Sequence, residues 1–228
     1  MLQGRRVVLV AALLASTVLT VALGATDPIG ARGYPTRFLA WNLFLAWVPL
    51  GAALWFVVAR RRWGRWLLGG VWLAFLPNAP YLVTDLVHLG DRGRDLWRHI
   101  LEFGFAAWTG VLLGVVSLRV VHVDVERRHG RLRGWLLVVV STGLCAIGVV
   151  IGRFQRWNSW DLVTRPTAVA ESTIDWVRSP ISDVRSTGVA LAVAAFFGIA
   201  YVTIWALDGM QRSDAPIARS GHPQAPPH

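Results

Sequence analysis

The sequence contains a single cysteine, Cys145, and no lysine. A lone cysteine excludes a disulfide framework and a metal site built from several thiols. Charged residues make up only 16% of the chain, which leaves too little polar surface for a soluble protein of 228 residues. Because all 23 basic residues are arginine, we interpret the missing lysine as a bias towards G+C-rich codons and not as chemistry.

Hydrophobic residues, by contrast, make up 54% of the chain, and the mean hydropathy is +0.48. This composition is typical of an integral membrane protein. In a soluble domain the net charge of +10 would indicate nucleic acid as a partner. Here the arginines flank apolar runs, where they orient helices and contact anionic headgroups. We therefore expect membrane lipids as partners and no nucleic acid.

Six apolar segments each approach the ~20 residues that a helix needs to cross a bilayer. They cover residues 7–24, 38–59, 66–89, 100–121, 135–151 and 186–207. The sequence thus predicts an all-α integral membrane helical bundle of about six spans, in a single domain over residues 1–207. Residues 208–228, rich in proline and small polar side chains, are predicted to form a disordered cytoplasmic tail.

The arginines are distributed unequally between the connections. They are dense in the segments 60–65 and 127–133, which the positive-inside rule assigns to the cytoplasm together with both termini. The first span also fits a cleavable secretory signal, because a basic start and an apolar core precede Ala22, Leu23 and Gly24. A retained span and a cleaved signal are both open at this point.

Small residues recur on single helix faces within the spans. Gly110 and Gly114 lie one turn apart, as do Gly148 and Gly152. Such faces let helix backbones approach closely in lipid, where no hydrophobic drive brings helices together. We interpret them as contacts inside the bundle and not as a dimer motif.

Two prolines, Pro77 and Pro80, interrupt the third span. Proline lacks an amide proton, so backbone carbonyls near the break lose their helical partners, which is costly in hydrocarbon. Asn42 and Asn78 carry amide donors that fit those carbonyls. One interpretation makes the asparagines structural staples of a kinked helix pair. The other makes the broken helix the floor of an outward-facing pocket, as discontinuous helices form in transporters.

Asp85 and His88 follow the break and lie on one helical face, about one turn apart. A carboxylate beside an imidazole fits a general acid and base pair or half of a metal site, so both residues are catalytic candidates. Alternatively, Asp85 pairs with Arg153 or Arg156 while His88 anchors at headgroup level. The surrounding acidic and histidine residues follow no recognised ligand pattern, and we expect neither a metal nor a cofactor.

A second polar run covers residues 153–161, on the same side of the membrane as the proline break. Guanidinium groups bind phosphate and carboxylate in a bidentate manner, and the nearby tryptophans offer flat apolar faces. Asn158 is predicted to cap a short helix that starts near residue 159. Simple interfacial anchoring by arginine and tryptophan is the alternative. The predicted ligand-binding residues are Asn42, Asn78, Tyr81, Arg153, Arg156, Trp157, Asn158, Trp160 and Asp161.

Three segments resemble the signature blocks of the bacterial membrane-protein family catalogued as domain of unknown function 1361. They are WNLFLAWVP at 41–49, LPNAPYLVTDL at 76–86 with His88, and GRFQRWNSWD at 152–161. The resemblance covers about residues 38–207. It implies a multi-pass protein of the bacterial inner membrane, and it implies no activity, cofactor or catalytic residue.

Three function classes follow from these residues. We expect a protein that binds an anionic lipid, another anionic amphiphile, an envelope precursor or an envelope partner at the outward-facing polar cluster. The first alternative is a membrane-embedded enzyme acting on a lipid-linked anionic substrate, with Asp85 or His88 as base. The second is a small transporter, although no ionisable residue lies at the centre of a span. Nothing in the sequence indicates the oligomeric state.

Overall fold

The computed structural model describes residues 2–25, 37–87, 96–179 and 183–213, and this part of the chain is an all-α bundle. Six segments of it are long and apolar enough to cross a membrane, which confirms the predicted fold class of a multi-pass membrane protein. The broken third span, Arg62–Val87, counts as one of them. The helices of the described part are α1 (Leu2–Ala25), α2 (Arg37–Val58), α3 (Arg62–Phe75), α4 (Asn78–Thr84), α5 (Leu96–His129), α6 (Arg131–Phe154), α7 (Asp161–Thr164), α8 (Pro166–Arg178) and α9 (Val184–Ser213).

The central helix of the bundle is α5, which packs against α1, α2, α4, α6 and α9. Glycines on α5 allow the broken span to approach it. A Cβ atom at Gly110 would lie 2.5 Å from the carbonyl oxygen of Ala79, and one at Gly114 would lie 2.8 Å from the Cβ of Ala79. The predicted contact of this glycine face inside the bundle is therefore confirmed.

The first helix packs against α5 and α2 through hydroxyl groups. Ser16 Oγ lies 2.5 Å from Thr109 Oγ1, and Trp47 Nε1 donates to Thr17 Oγ1 at 3.1 Å. Leu13 is buried in the apolar cluster that joins α1, α2, α4 and the N-terminal half of α5. A second cluster, which includes the buried Cys145, joins α2, α3, α6, α9 and the middle and C-terminal part of α5.

The connection between α5 and α6 is a single residue, Gly130, at a φ of 90° that favours glycine. The predicted spans end at residue 121 and resume at residue 135, whereas the structure is helical over residues 122–129 and 131–134. Ion pairs between polar side chains stabilise the C-terminal turns of α5, and an average of hydropathy over a window does not detect such pairs. Arg128 Nε donates to Asp124 Oδ1 at 2.9 Å, and Arg65 binds the other oxygen of the same carboxylate.

A buried polar network links α5, α6 and α9 near this connection. His122 is fully buried, its Nδ1 hydrogen-bonds to the hydroxyl of Tyr201, and its ring lies 5.2 Å from that of Trp135. Gly134 makes room for it, since a Cβ there would lie 2.8 Å from the imidazole. These side chains lie far apart in the sequence, and the apolar pattern of the spans conceals their contact.

The last helix, α9, runs to Ser213, so residues 208–213 are helical and the helix continues past residue 207, where the predicted span ends. Asp208 explains the extension, because Arg119 of α5 donates to its carboxylate at 2.6 Å. At the other end, the N–H of Ser186 donates to Asp183 at 3.1 Å, and hydrogen bonds from Ser186 lower the pKa of Asp183. Residues 214–228 lie outside the described residues.

The predicted external loop after α7 contains the amphipathic helix α8. Pro166 occupies its first turn, where proline is tolerated, and Val169 is buried. Ser172 Oγ donates to Gln155 Oε1 at 2.6 Å, and Trp176 Nε1 donates to Ser186 Oγ at 2.8 Å. These bonds hold α8 against the ends of α6 and α9.

Candidate functional site

The third span is broken at Pro77. α3 ends at Phe75 and α4 begins at Asn78, with a short turn between them. The amide of Ala79, which would serve the carbonyl of Phe75 in a continuous helix, donates instead to Leu76 O at 3.1 Å. Asn78 Nδ2 replaces it and donates to Phe75 O at 3.0 Å. Asn78 thus satisfies the break with its side chain, as the staple interpretation predicts.

The same amide links the broken span to the loop between α6 and α7. Asn78 Nδ2 also donates to Ser159 Oγ at 2.9 Å. Both amide protons of Asn78 are therefore engaged, whereas its carbonyl oxygen has no hydrogen-bond partner within the described residues. A single side chain positions the loop above the break and keeps one acceptor available.

Asp85 and Arg153 form an ion pair beside this link. Arg153 Nη1 lies 2.9 Å from Asp85 Oδ1, and the Asp85 side chain is only 1% exposed. Asn42 Nδ2 donates to the second carboxylate oxygen at 3.3 Å, and Arg153 also donates to Thr84 O at 3.0 Å. Of the two arginines that the sequence offered, the structure pairs Arg153. The expectation that Asn42 serves a helix carbonyl is wrong, since the amide meets a carboxylate.

Arg156, the other arginine, is exposed. It is the non-glycine residue with a left-handed backbone among the described residues, at a φ of 60°. This conformation ends α6 and reverses the chain, so that the N–H of Trp157 bonds to Ile151 O at 3.3 Å. Within the part of the chain that the structure describes, Arg156 makes no ion pair.

The loop after Arg156 ends in α7, whose first residue is Asp161. Asp161 Oδ2 accepts a hydrogen bond from the backbone N–H of Asn158 at 2.7 Å, and no side chain caps α7. The predicted cap by Asn158 is therefore wrong. A carboxylate is the stronger acceptor, and here it holds the loop. The exposed side-chain amide of Asn158 makes no hydrogen bond to any described residue.

A cleft of about 460 Å³ lies between α2, α3, α4 and α6, with the loop 155–160 and α8 at one end. Gly148 brings α6 to the proline break, since a Cβ there would lie 2.5 Å from Pro77 Cγ. This volume falls within the range of small-molecule sites. The apolar walls include Leu45, Leu73, Leu144, Ile147 and Ile151, and the polar groups belong to Asn42, Asn78, Tyr81, Asn158, Ser159 and Thr173.

Aromatic rings border one end of the cleft. Trp41 lines it while remaining 51% exposed, and its ring lies 5.5 Å from Phe44 and 6.3 Å from Trp160. Tyr81 lines the cleft close to the ion pair, with its hydroxyl 3.5 Å from Arg153 Nη1. The cleft therefore combines apolar walls, aromatic faces and uncharged polar groups.

The structure brings only part of the predicted ligand-binding set to the cleft. Asn42, Asn78, Tyr81, Trp157 and Asn158 line it. Arg153, Arg156, Trp160 and Asp161 do not line it, although each belongs to an element beside it. Asp85, a catalytic candidate, lies behind the lining in its ion pair, and His88 falls outside the described residues.

Sequence reasoning missed two polar lining residues. Ser159 was present in the polar run, and its hydrogen bond to Asn78 becomes visible only when the two segments meet. Thr173 comes from α8, which was not predicted, although the amphipathic pattern of that segment was the available signal. His99 and Glu102, 3.6 Å apart in α5, are buried away from the cleft.

A family model described as protein of unknown function, DUF1361, matches residues 41–204. The match includes every residue that lines the cleft and all of the segments from the proline break to the body of α9. No curated protein matches the chain, and no solved structure matches it. Because the family model covers well over half of the chain, this multi-pass membrane protein belongs to the DUF1361 family.

Proposed function

We propose that the protein is a binding protein of the bacterial inner membrane, with both termini in the cytoplasm. Its ligand is a membrane amphiphile held in the cleft. The observation that carries this proposal is the cleft itself, in which apolar walls from α3 and α6 lead to polar groups gathered at the proline break. An apolar chain fits the walls, and a polar head fits the end that Asn78 and Ser159 form.

The cost of the broken helix supports a site at this position. Irregular backbone at membrane depth is tolerated where it is buried in protein or lines a cavity. Here the break lines the cleft through Pro77 and Asn78. In a continuous helix a backbone N–H would bond to the carbonyl of Phe75 and no asparagine would be needed. The break therefore adds polar groups to the cleft that helix packing alone does not require.

The position between spanning segments favours an amphiphile over a water-soluble ligand. Gly70 and Leu144 line the cleft from facing helices, and both are exposed on the side of the bundle. In a bilayer such side surfaces meet lipid chains. A lipid can therefore enter sideways without leaving the membrane.

The enzyme and transporter alternatives have less support. Asp85 is committed to Arg153 and Asn42 and does not line the cleft, so it is poorly placed as a base. None of the described lining residues is an acid, a histidine or an arginine, the types that mark ion and proton pathways. Binding is the function that these groups fit best.

Native mass spectrometry of the gently extracted protein tests the proposal. In Gly70→Leu, the new side chain starts from open space, because no atom lies within 4 Å of a Cβ at Gly70, and it narrows the cleft that Gly70 lines. Gly143→Leu is the matched control, since a Cβ there also meets nothing within 4 Å and Gly143 does not line the cleft.

We expect the parent and Gly143→Leu to retain a lipid-sized ligand and Gly70→Leu to lose it. If all three proteins retain the same ligand to the same extent, the cleft is not the binding site. If none of the three retains a ligand and none takes one up from added lipid, the proposal is overturned.

A further inference from the structure

We infer that the head of the bound amphiphile is uncharged and rich in hydroxyl groups, as in a lipid that carries a sugar. This inference rests on the proposed function, because it concerns the polar end of the same cleft. It departs from the anionic head that the arginines in the sequence suggested.

Charge is the first reason. None of the described residues that line the cleft carries a charge, and the exposed Arg156 does not line it. Arg153, the arginine next to the lining, forms its ion pair with Asp85, which compensates its charge. A phosphate placed in the cleft would lose its hydration without gaining a cation, and this is costly in a low-dielectric site.

The second reason is that the lining offers donors and acceptors together. Asn78 offers a ligand only its carbonyl oxygen, an acceptor, because both of its amide protons already donate to Phe75 O and Ser159 Oγ. Ser159 Oγ accepts from Asn78, which leaves its own proton to donate, and the amide of Asn158 offers both functions. A hydroxyl group donates and accepts at once. A phosphate diester only accepts, so it can bind the donors of Ser159 and Asn158 but leaves the carbonyl oxygens of the two asparagines without a donor.

The aromatic faces are the third reason. Trp41 and Trp157 line the cleft beside the asparagines, and contacts with Phe44 and Trp160 hold the ring of Trp41 in place. The face of an aromatic ring is negative, so it attracts the weakly positive C–H groups on one face of a sugar ring. Flat aromatic surfaces next to amide groups thus fit the apolar C–H face and the hydroxyl groups of a pyranose.

A titration with lipids of identical chains tests the inference. The probes are glucosyl dioleoylglycerol, dioleoyl phosphatidylglycerol and dioleoyl phosphatidylcholine, added to the full-length protein in detergent and quantified by native mass spectrometry. We expect the glucosyl lipid to bind at least tenfold more tightly than the other two. Asn158→Ala should weaken the binding of the glucosyl lipid by about tenfold, the effect of one lost hydrogen bond, and leave the binding of phosphatidylglycerol unchanged.

Gly70→Leu separates failure of this inference from failure of the proposed function. If all three lipids bind equally in the parent and all are lost in Gly70→Leu, the cleft binds lipid chains and the head-group inference is wrong. Tighter binding of phosphatidylglycerol overturns the inference in favour of an anionic head. If Gly70→Leu binds every lipid as the parent does, the proposed function itself fails.

Discussion

Asp85 and Arg153, 68 residues apart in the sequence, form an ion pair that joins the broken third span to the end of α6. The carboxylate is almost fully buried and also accepts a hydrogen bond from Asn42 of α2. Three transmembrane segments therefore meet at one charge pair. Two residues that line the cleft contact the pair, because Asn42 binds the carboxylate and the Tyr81 hydroxyl lies 3.5 Å from Arg153 Nη1.

Breaking this pair from either side should destabilise the protein. Asp85→Asn or Arg153→Gln leaves a largely buried charge without its partner, and each should lower the free energy of unfolding by roughly 3–5 kcal/mol. The double variant should recover much of that loss. Unfolding in mild detergent measures all three, and Arg156→Gln serves as the control because Arg156 is exposed.

Additive losses in the double variant would show that the two side chains do not stabilise each other. A loss in Arg156→Gln as large as that in Arg153→Gln would likewise contradict the assignment of the partner. The expected change for Arg156→Gln is within about 0.5 kcal/mol, as for other exposed positions.

The staple role of Asn78 predicts a second stability difference. Asn78→Ala removes the hydrogen bonds to Phe75 O and Ser159 Oγ, and it should cost about 1–3 kcal/mol because a carbonyl is left unsatisfied. Asn158→Ala is the matched control, since that side chain makes no hydrogen bond to the described residues. Equal melting temperatures for the two variants would exclude the staple.

The close approach of α6 to the proline break at Gly148 predicts a third stability difference. In Gly148→Ala the new methyl group would start 2.5 Å from Pro77 Cγ, so we expect a loss of about 1–3 kcal/mol from overpacking. Gly143→Ala on the same helix meets nothing within 4 Å and should be neutral or stabilising. If thermal unfolding shows no difference between them, α6 and α4 do not pack as described.

The proposed orientation predicts which end of the bundle faces the cytoplasm. Cys145 is the single cysteine of the sequence, so a Cys145→Ser variant carries no thiol and is a suitable background for labelling introduced cysteines. In intact bacterial cells, a membrane-impermeant reagent should label Asn158→Cys and spare His129→Cys, two positions that are exposed at opposite ends. The reverse pattern would overturn the orientation derived from the arginine distribution.

The proline break and the ion pair could be predicted because both conflict with a lipid environment. Prolines inside an apolar span leave carbonyls that need a donor, and a buried aspartate needs a cation. The sequence therefore shows which groups need a partner and which residue types can provide one. The choice between Arg153 and Arg156 could not be predicted. It depends on the left-handed turn at Arg156, which is set by how α6 ends.

The cleft could be predicted only in part, since it exists between elements. Asn42, Asn78 and Tyr81 stood out as polar residues in apolar spans. Thr173 did not, because its helix α8 is held in place by hydrogen bonds to Gln155 that no local pattern reveals. The helical turns between residues 122 and 134 were also missed, because ion pairs between distant segments stabilise polar helix ends that a hydropathy window excludes.

The most direct test of the central claim locates a lipid chain inside the cleft. A dioleoyl lipid with a photoreactive diazirine in its chain is incorporated with the purified protein, and labelled residues of α6 are mapped by mass spectrometry. Ile147 and Ile151 line the cleft, whereas Val139 is exposed on the same helix away from it. We predict that Gly70→Leu reduces labelling of Ile147 and Ile151 and leaves that of Val139 unchanged. If all three positions are labelled equally in the parent and in Gly70→Leu, the account is contradicted.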